Sequence, residues 1–77
     1  MKITYDSQAD AAYIRVGGPI TDGQATQQIH SIETPGGNGE ITLDFDDAGH
    51  LLGVEVLFAS SVLAPDVLAS ATKLDGP

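Results

Sequence analysis

The chain has 77 residues, of which 42% are hydrophobic, and its 11 Asp and Glu against 3 Lys and Arg give a net charge of −8. A single domain of this length buries only about 60 to 65% of the surface of its unfolded chain, so its core must be small. The cations Lys2, Arg15 and Lys73 are far apart, which argues against direct binding to nucleic acid or anionic membranes. With no signal-peptide pattern after Met1, we expect a cytoplasmic protein.

Alternation of apolar and polar residues predicts the strands. The segments that alternate lie near residues 2–6, 11–16, 25–33, 40–46 and 51–58. The third is the most polar and fits an edge strand. The last two flank Asp47 and Gly49, which favour a hairpin turn because Asp can bond its own backbone and Gly accepts a positive φ.

Residues 61–74 predict one C-terminal helix. Its apolar stripe consists of Val67, Leu68, Ala71 and Leu74. Pro65 suits the first turn, Lys73 suits the last, and Gly76 can end the helix. The predicted fold class is therefore α+β: one domain, residues 1–77, with a small antiparallel sheet of about four strands and a C-terminal helix that packs on one face or exchanges with a second subunit.

Two segments resemble a known family. Residues 3–16, ITYDSQADAAYIRV, resemble the Tyr-Asp-x-x-Ala-Asp-Ala-x-Tyr-Ile signature of the small bacterial Domain of Unknown Function 2283 family, and residues 41–60 resemble its hairpin. Residues 21–39 are longer and richer in glycine than that family's pattern, and residues 63–77 match no part of it. The resemblance implies a small protein without an established activity, in a family whose members sometimes occur beside toxin-like proteins.

The hairpin segment also matches a calcium-loop template in part. Asp44, Asp46, Gly49 and Glu55 occupy positions one, three, six and twelve of that template. Position five is Ala48, which removes a ligand, and both flanks alternate as strands where the template needs helices. We therefore predict that the three carboxylates solvate the exposed face of a hairpin, and we predict neither a metal nor a cofactor.

The segment from Tyr5 to Val16 concentrates Asp6, Asp10, Tyr13 and Arg15. Two carboxylates beside a cation could form a small ligand-binding or catalytic site if the four side chains met in a cleft. The alternative is a turn, in which Asp6 accepts backbone N–H bonds and Asp10 ends the connection before the next strand. We favour the turn and keep the site as the second hypothesis.

Partner binding is the leading functional hypothesis. Residues 25–32 form a predicted edge strand that another chain could extend, and the acidic surface would attract a basic protein. The alternative explanation of the acidity is that it only confers solubility. The expected function is a non-enzymatic, antitoxin-like interaction module. Because the core is small and has no disulfide, we also expect a homodimer, and a structural homo-oligomer without any ligand is the third hypothesis.

Overall fold

Six strands and two short helices make up the fold in a computed structural model that describes residues 1–74. The elements are β1 (Lys2–Asp6), β2 (Ala11–Arg15), β3 (Gln27–Glu33), a 3₁₀ turn (Pro35–Gly37), β4 (Glu40–Phe45), β5 (Leu51–Leu57), α1 (Ala59–Val62), α2 (Pro65–Ser70) and β6 (Thr72–Lys73). They form one sheet in the order β3-β4-β5-β2-β1-β6. The predicted α+β class is thus confirmed in outline.

The sheet is mixed, so the prediction of about four antiparallel strands was wrong in both number and direction. All neighbours pair antiparallel except β6, which runs parallel to β1. The added strand forms because the chain leaves α2 alongside β1, where Thr72 and Lys73 pair with Thr4 and Tyr5. The amide of Leu74 then donates to the carbonyl of Tyr5 at 2.9 Å.

The single helix predicted over residues 61–74 is interrupted. Proline disfavours the helical conformation in the residue before it, and Ala64, which precedes Pro65, is extended at ψ 151°. The chain therefore breaks between α1 and α2. It leaves the helical conformation again at Ala71, so Lys73 lies in β6 rather than in a last helical turn, and the predicted helix-ending Gly76 lies outside the described residues.

Strand register sorts the side chains onto two faces. The apolar face carries two rows: Ile29, Leu43, Val54, Ile14 and Ile3, then Ile32, Ile41, Val56, Ala12 and Tyr5. The polar face carries Gln28, Asp44, Gly53, Arg15 and Lys2, then Thr42, Glu55, Tyr13 and Thr4, then Glu33, Glu40, Leu57, Ala11 and Asp6. The apolar residues that alternate along the predicted strands therefore lie on one face of the sheet, and this face can form a core.

Two bulges keep this sorting intact where the sequence alternation fails. Between Ile29 and Ile32 the register shifts, and Ser31 adopts a positive φ of 63°. This shift brings both isoleucines to the apolar face although they are three residues apart. A second shift pairs Phe45 with Leu51 rather than Leu52, so both leucines can join the apolar face at its end.

The helices cover only one end of the apolar face. Ala12, Val56 and Ala59 form the buried cluster, and Val62, Leu63 and Leu68 from the helical segment pack against it. At the other end lie the apolar side chains Val16, Phe45, Leu51 and Leu52, together with Ile29 from the first row, and we call this set the outer row. Ile29 remains 53% exposed, and Val16 and Leu51 are each 39% exposed. The core is consequently thin.

On the polar face, Gly53 lies beneath the ring of Tyr13. A Cβ added at Gly53 would collide with the ring and hydroxyl of Tyr13, whereas one added at Gly17 would meet no atom within 4 Å. We expect Gly53→Ala to lower the free energy of unfolding by about 1 to 3 kcal/mol, because the ring must be displaced. Urea denaturation of both variants tests this. A Gly53→Ala variant as stable as Gly17→Ala would contradict it.

Candidate functional site

Asp6 organises the turn between β1 and β2. Its Oδ1 atom accepts the backbone N–H groups of Gln8 at 3.0 Å and Ala9 at 3.3 Å. Short acidic side chains stabilise turns in this way, since they satisfy N–H groups that no strand or helix pairs. The prediction that Asp6 accepts backbone N–H bonds within a turn is therefore confirmed.

Asp10 joins this turn to the start of α1. Its Oδ1 atom accepts the Tyr5 hydroxyl at 2.8 Å and the Ser60 amide at 2.9 Å, and its Oδ2 atom accepts the Ser60 hydroxyl at 2.7 Å. Its backbone carbonyl accepts the Ala59 amide at 2.9 Å. The bonds from Ser60, and then that from Tyr5, lower the pKa of Asp10 below its usual value. Asp10 thus caps a helix that begins 49 residues later in the chain.

Tyr13 and Asp44 meet on the polar face. The Tyr13 hydroxyl donates to Asp44 Oδ2 at 2.9 Å, and the side-chain Nε2 of Gln28 donates to Asp44 Oδ1 at 2.8 Å. Burial raises the pKa of Tyr13 to about 12, with further contributions from Asp44 and from the charge of Glu55. Tyr13 therefore reaches Asp44 across the intervening strand β5, and side chains connect β2 with β4 and β4 with β3.

Asp6, Asp10, Tyr13 and Arg15 do not converge. The Asp10 carboxylate bonds to Tyr5, which belongs to the apolar face, whereas Tyr13 and Arg15 lie on the polar face. The Nε atom of Arg15 donates to the carbonyl of Gly17 at 3.3 Å. The geometry thus gives these four residues four separate sets of contacts and no shared cleft.

The β4–β5 turn is organised by Asp46 rather than by the predicted Asp47. Asp46 Oδ1 accepts the amides of Ala48 at 3.0 Å and His50 at 2.8 Å, and its Oδ2 atom lies 3.1 Å from the imidazole of His50. The bond from the His50 amide is the main cause that lowers the pKa of Asp46. Gly49 supplies the predicted positive φ, at 85°.

The calcium template does not correspond to a cluster of ligands. Asp44 is engaged on the polar face and Asp46 in the turn, while Glu55 stands opposite Tyr13 and Thr42. Across residues 1–74, no three His, Asp or Glu side chains are close enough together to hold a metal ion.

Charge is distributed unevenly across the sheet. All three Lys and Arg residues lie on β1, β2 and β6. We call the other side, made of β3, β4 and the turn after β4, the acidic half. Its carboxylates are Glu33, Glu40, Asp44, Asp46 and Asp47, and it contains neither Lys nor Arg. The negative potential is therefore concentrated at one side of the sheet.

The acidic half ends in an open edge. Strand β3 pairs with β4 on one side, and no described strand pairs with its other side. Every residue of β3 except Ile32 is exposed. The prediction that this polar segment forms an edge strand is therefore confirmed, and its outer backbone groups are accessible.

Several contacts of this region could not be found by sequence reasoning. Ser60 is 50 residues from Asp10, and Gln28 is 16 residues from Asp44, so no local spacing pointed to either pair. The sequence predicts Phe58 only as the end of a strand, whereas its backbone is left-handed and its side chain is exposed. The sequence signal for the exposed ring was an aromatic residue between a predicted strand and the predicted helix.

The sequence model of a family described as "protein of unknown function (DUF2283)" matches residues 2–60, and the chain belongs to this family. The match covers β1 to β5 and ends at Ser60, the partner of Asp10. None of the curated proteins or solved structures compared with the chain matches it. Over the described residues, neither helix has the length or apolar character needed to cross a membrane.

The Asp10 cluster predicts a pH-dependent stability. Because its pKa is lowered in the folded protein, Asp10 stabilises the fold above its usual pKa of 3.8, and this contribution is lost as the pH falls through the folded-state value. We expect Asp10→Asn to be less stable at neutral pH and to depend less on pH in the acid range. Asn tolerates the positive φ of 49° at this position, so the backbone is conserved.

Chemical denaturation between pH 7 and pH 2 measures this difference. Asp22→Asn is the matched control, since it removes one charge from an exposed loop away from Ser60. Equal flattening of the pH profile in both variants would assign the effect to net charge instead of to the bonds of Asp10.

Proposed function

We propose that the protein is a non-enzymatic interaction module whose acidic half binds a basic segment of a partner protein. The observation that carries this proposal is the open β3 edge in the one part of the sheet that holds five carboxylates and no Lys or Arg. Covering a basic surface of another protein is also what an antitoxin-like role requires.

Electrostatics supports a basic partner over a neutral one. The carboxylates of the acidic half lie on two adjacent strands and one turn, so their potentials add. Such a surface accelerates encounters with a positive partner and disfavours acidic ones. Direct binding to nucleic acid or to an anionic membrane would meet repulsion from the same carboxylates.

Backbone geometry supports an extended partner segment. An edge strand offers N–H and C=O groups that another strand can pair with, which supplies affinity, while side chains at alternate positions supply specificity. The bulge at Ser31 limits regular pairing, because an extra residue disrupts the ladder there. We therefore expect pairing to be centred on the regular part of β3, Gln27 to Ile29.

Selection of binders from a random peptide-display library tests this function. We expect the enriched peptides to be rich in Lys and Arg, to lack acidic residues and to bind more weakly as salt increases. Hydrogen exchange should show protection gained by β3 amides on binding and not by those of β6. Enriched peptides without positive charge, or protection confined to other strands, would overturn the proposal.

A second copy of the chain is a second candidate partner, through the other face. The outer row carries no charged side chain, so two chains with a charge of −8 can meet there without opposing carboxylates directly. A groove of about 290 Å³ lies against Ile29 and Phe45 in this row. Covering it would add apolar burial to a core in which Val56 is the largest fully buried side chain among the described residues.

Sedimentation of wild type, Ile29→Asp and Ser31→Asp tests the homodimer. The two variants add the same charge to β3, but Ile29 lies on the apolar face and Ser31 lies in the bulge opposite Thr42. We expect wild type and Ser31→Asp to be dimers at micromolar concentration and Ile29→Asp to be a folded monomer. A monomeric wild type, or equal dissociation of both variants, would contradict the dimer.

A further inference from the structure

A cavity of about 500 Å³ opens where the acidic half meets the start of α1. The residues that line it are Glu33, Gly37, Asn38, Gly39, Glu40 and Phe58. They come from the end of β3, the turn that follows it, the start of β4 and the residue between β5 and α1. The lining thus combines two carboxylates with one aromatic ring.

The two carboxylates have no cationic partner among the described residues. Glu33 and Glu40 stand directly opposite each other on β3 and β4, an arrangement in which like charges destabilise a sheet. The one contact among residues 1–74 that can form an ion pair joins His50 and Asp46, and it is an ion pair only when His50 is protonated. A cation from outside the chain would relieve the repulsion between the two glutamates.

The glycines of the turn leave room for one of these carboxylates. Gly37 has a positive φ of 69°, and a Cβ at this position would lie only 3.1 Å from Oε1 of Glu33. The Glu33 side chain is therefore folded against the turn at the cavity wall instead of extending away from it. A larger residue at position 37 would push the carboxylate from this place.

Phe58 supplies the aromatic wall. It is 60% exposed, and its backbone is left-handed at φ 57° and ψ 47°, which is uncommon for a bulky residue. The conformation is held in place because the next residue, Ala59, donates its amide to the carbonyl of Asp10. The hydrogen bonds that Asp10 accepts from Ala59 and Ser60 therefore position the exposed ring of Phe58 beside the cavity.

We propose that this cavity binds the guanidinium group of an arginine side chain, and the assignment rests on the proposed function, in which that arginine belongs to the basic partner. A guanidinium is planar and has five donors, so it can bond to carboxylates on two strands while stacking on an aromatic face. An ammonium group is more strongly hydrated and lacks a flat surface for stacking. A divalent metal ion would have only two carboxylates and no third acidic or imidazole ligand among the described residues.

Titration with N-acetylarginine amide, followed by NMR, tests the cavity without a partner protein. N-acetylcitrulline amide is the matched probe, because it keeps the size and planarity of the side chain but is neutral. We expect the arginine probe to shift the amide signals of Gly37, Gly39 and Phe58, and the citrulline probe to shift them far less. Equal shifts from both probes would overturn the assignment.

Two variants separate specific recognition from net charge. We expect Glu33→Gln with Glu40→Gln to weaken arginine binding about tenfold, as expected for the loss of charged hydrogen bonds. Asp22→Asn with Asp66→Asn removes the same two charges from exposed positions outside both the cavity and the acidic half, and it should weaken binding less than about twofold. Similar losses in both pairs would overturn the assignment.

Phe58→Leu tests the aromatic wall. The substitution keeps an apolar side chain of similar reach but removes the π face, so we expect binding of the arginine probe to weaken by a few-fold. Because Phe58 is largely exposed, thermal unfolding should change little, which separates lost binding from lost folding. Unchanged affinity in a folded Phe58→Leu variant would remove the ring from the proposed site.

The results distinguish this inference from the proposed function. If selected basic peptides protect β3 but bind equally well to the Glu33/Glu40 variant and its control, the cavity assignment fails and the interaction module stands. If the arginine probe binds the cavity while no basic peptide protects β3, the interaction module fails and the arginine site stands. Absence of both effects overturns both.

Discussion

The carboxylate of Asp10 is the contact on which the arrangement of the other elements depends. It joins Tyr5 on β1, the β1–β2 turn and Ser60 at the start of α1, and its backbone carbonyl also accepts the amide of Ala59. The first strand pair and the helical segment are therefore held together at one point. Because Phe58 lies directly before α1, the same point also determines where its exposed ring lies.

The two faces of the sheet are covered unequally, because among residues 1–74 only the segment after β5 forms α-helices. That segment forms α1 and α2, and the two helices together cover one end of the apolar face. The Cα atoms extend 34 by 31 Å in two directions but only 18 Å in the third. A sheet this thin buries little apolar surface, and its remaining surface is available for contacts with other chains.

Local patterns predicted the strands well, because alternation reports directly which side chains share a face. Ile3 and Tyr5 on β1 share the apolar face with their partners Ile14 and Ala12 on β2. The bulges were not predictable, since alternation cannot reveal where an extra residue enters a strand; Ser31 has no sequence signal for its positive φ. The break in the predicted C-terminal helix does have a local signal in the sequence, namely the effect of Pro65 on the conformation of Ala64.

Less of the candidate site than of the fold could be predicted from the sequence, because the site depends on contacts between segments that are distant in the chain. Composition gave the net charge of −8 but not its segregation, which follows from the strand order: β5 separates the carboxylates of β3 and β4 from the cations of β2, β1 and β6. The same order places Glu33 opposite Glu40 and brings the end of β5 beside them. Repulsion between two glutamates persists in a fold only where other interactions outweigh it. The hydrogen bonds around Asp10 and the pairing of β4 with β5 supply those interactions here, and they leave two carboxylates at the wall of one cavity.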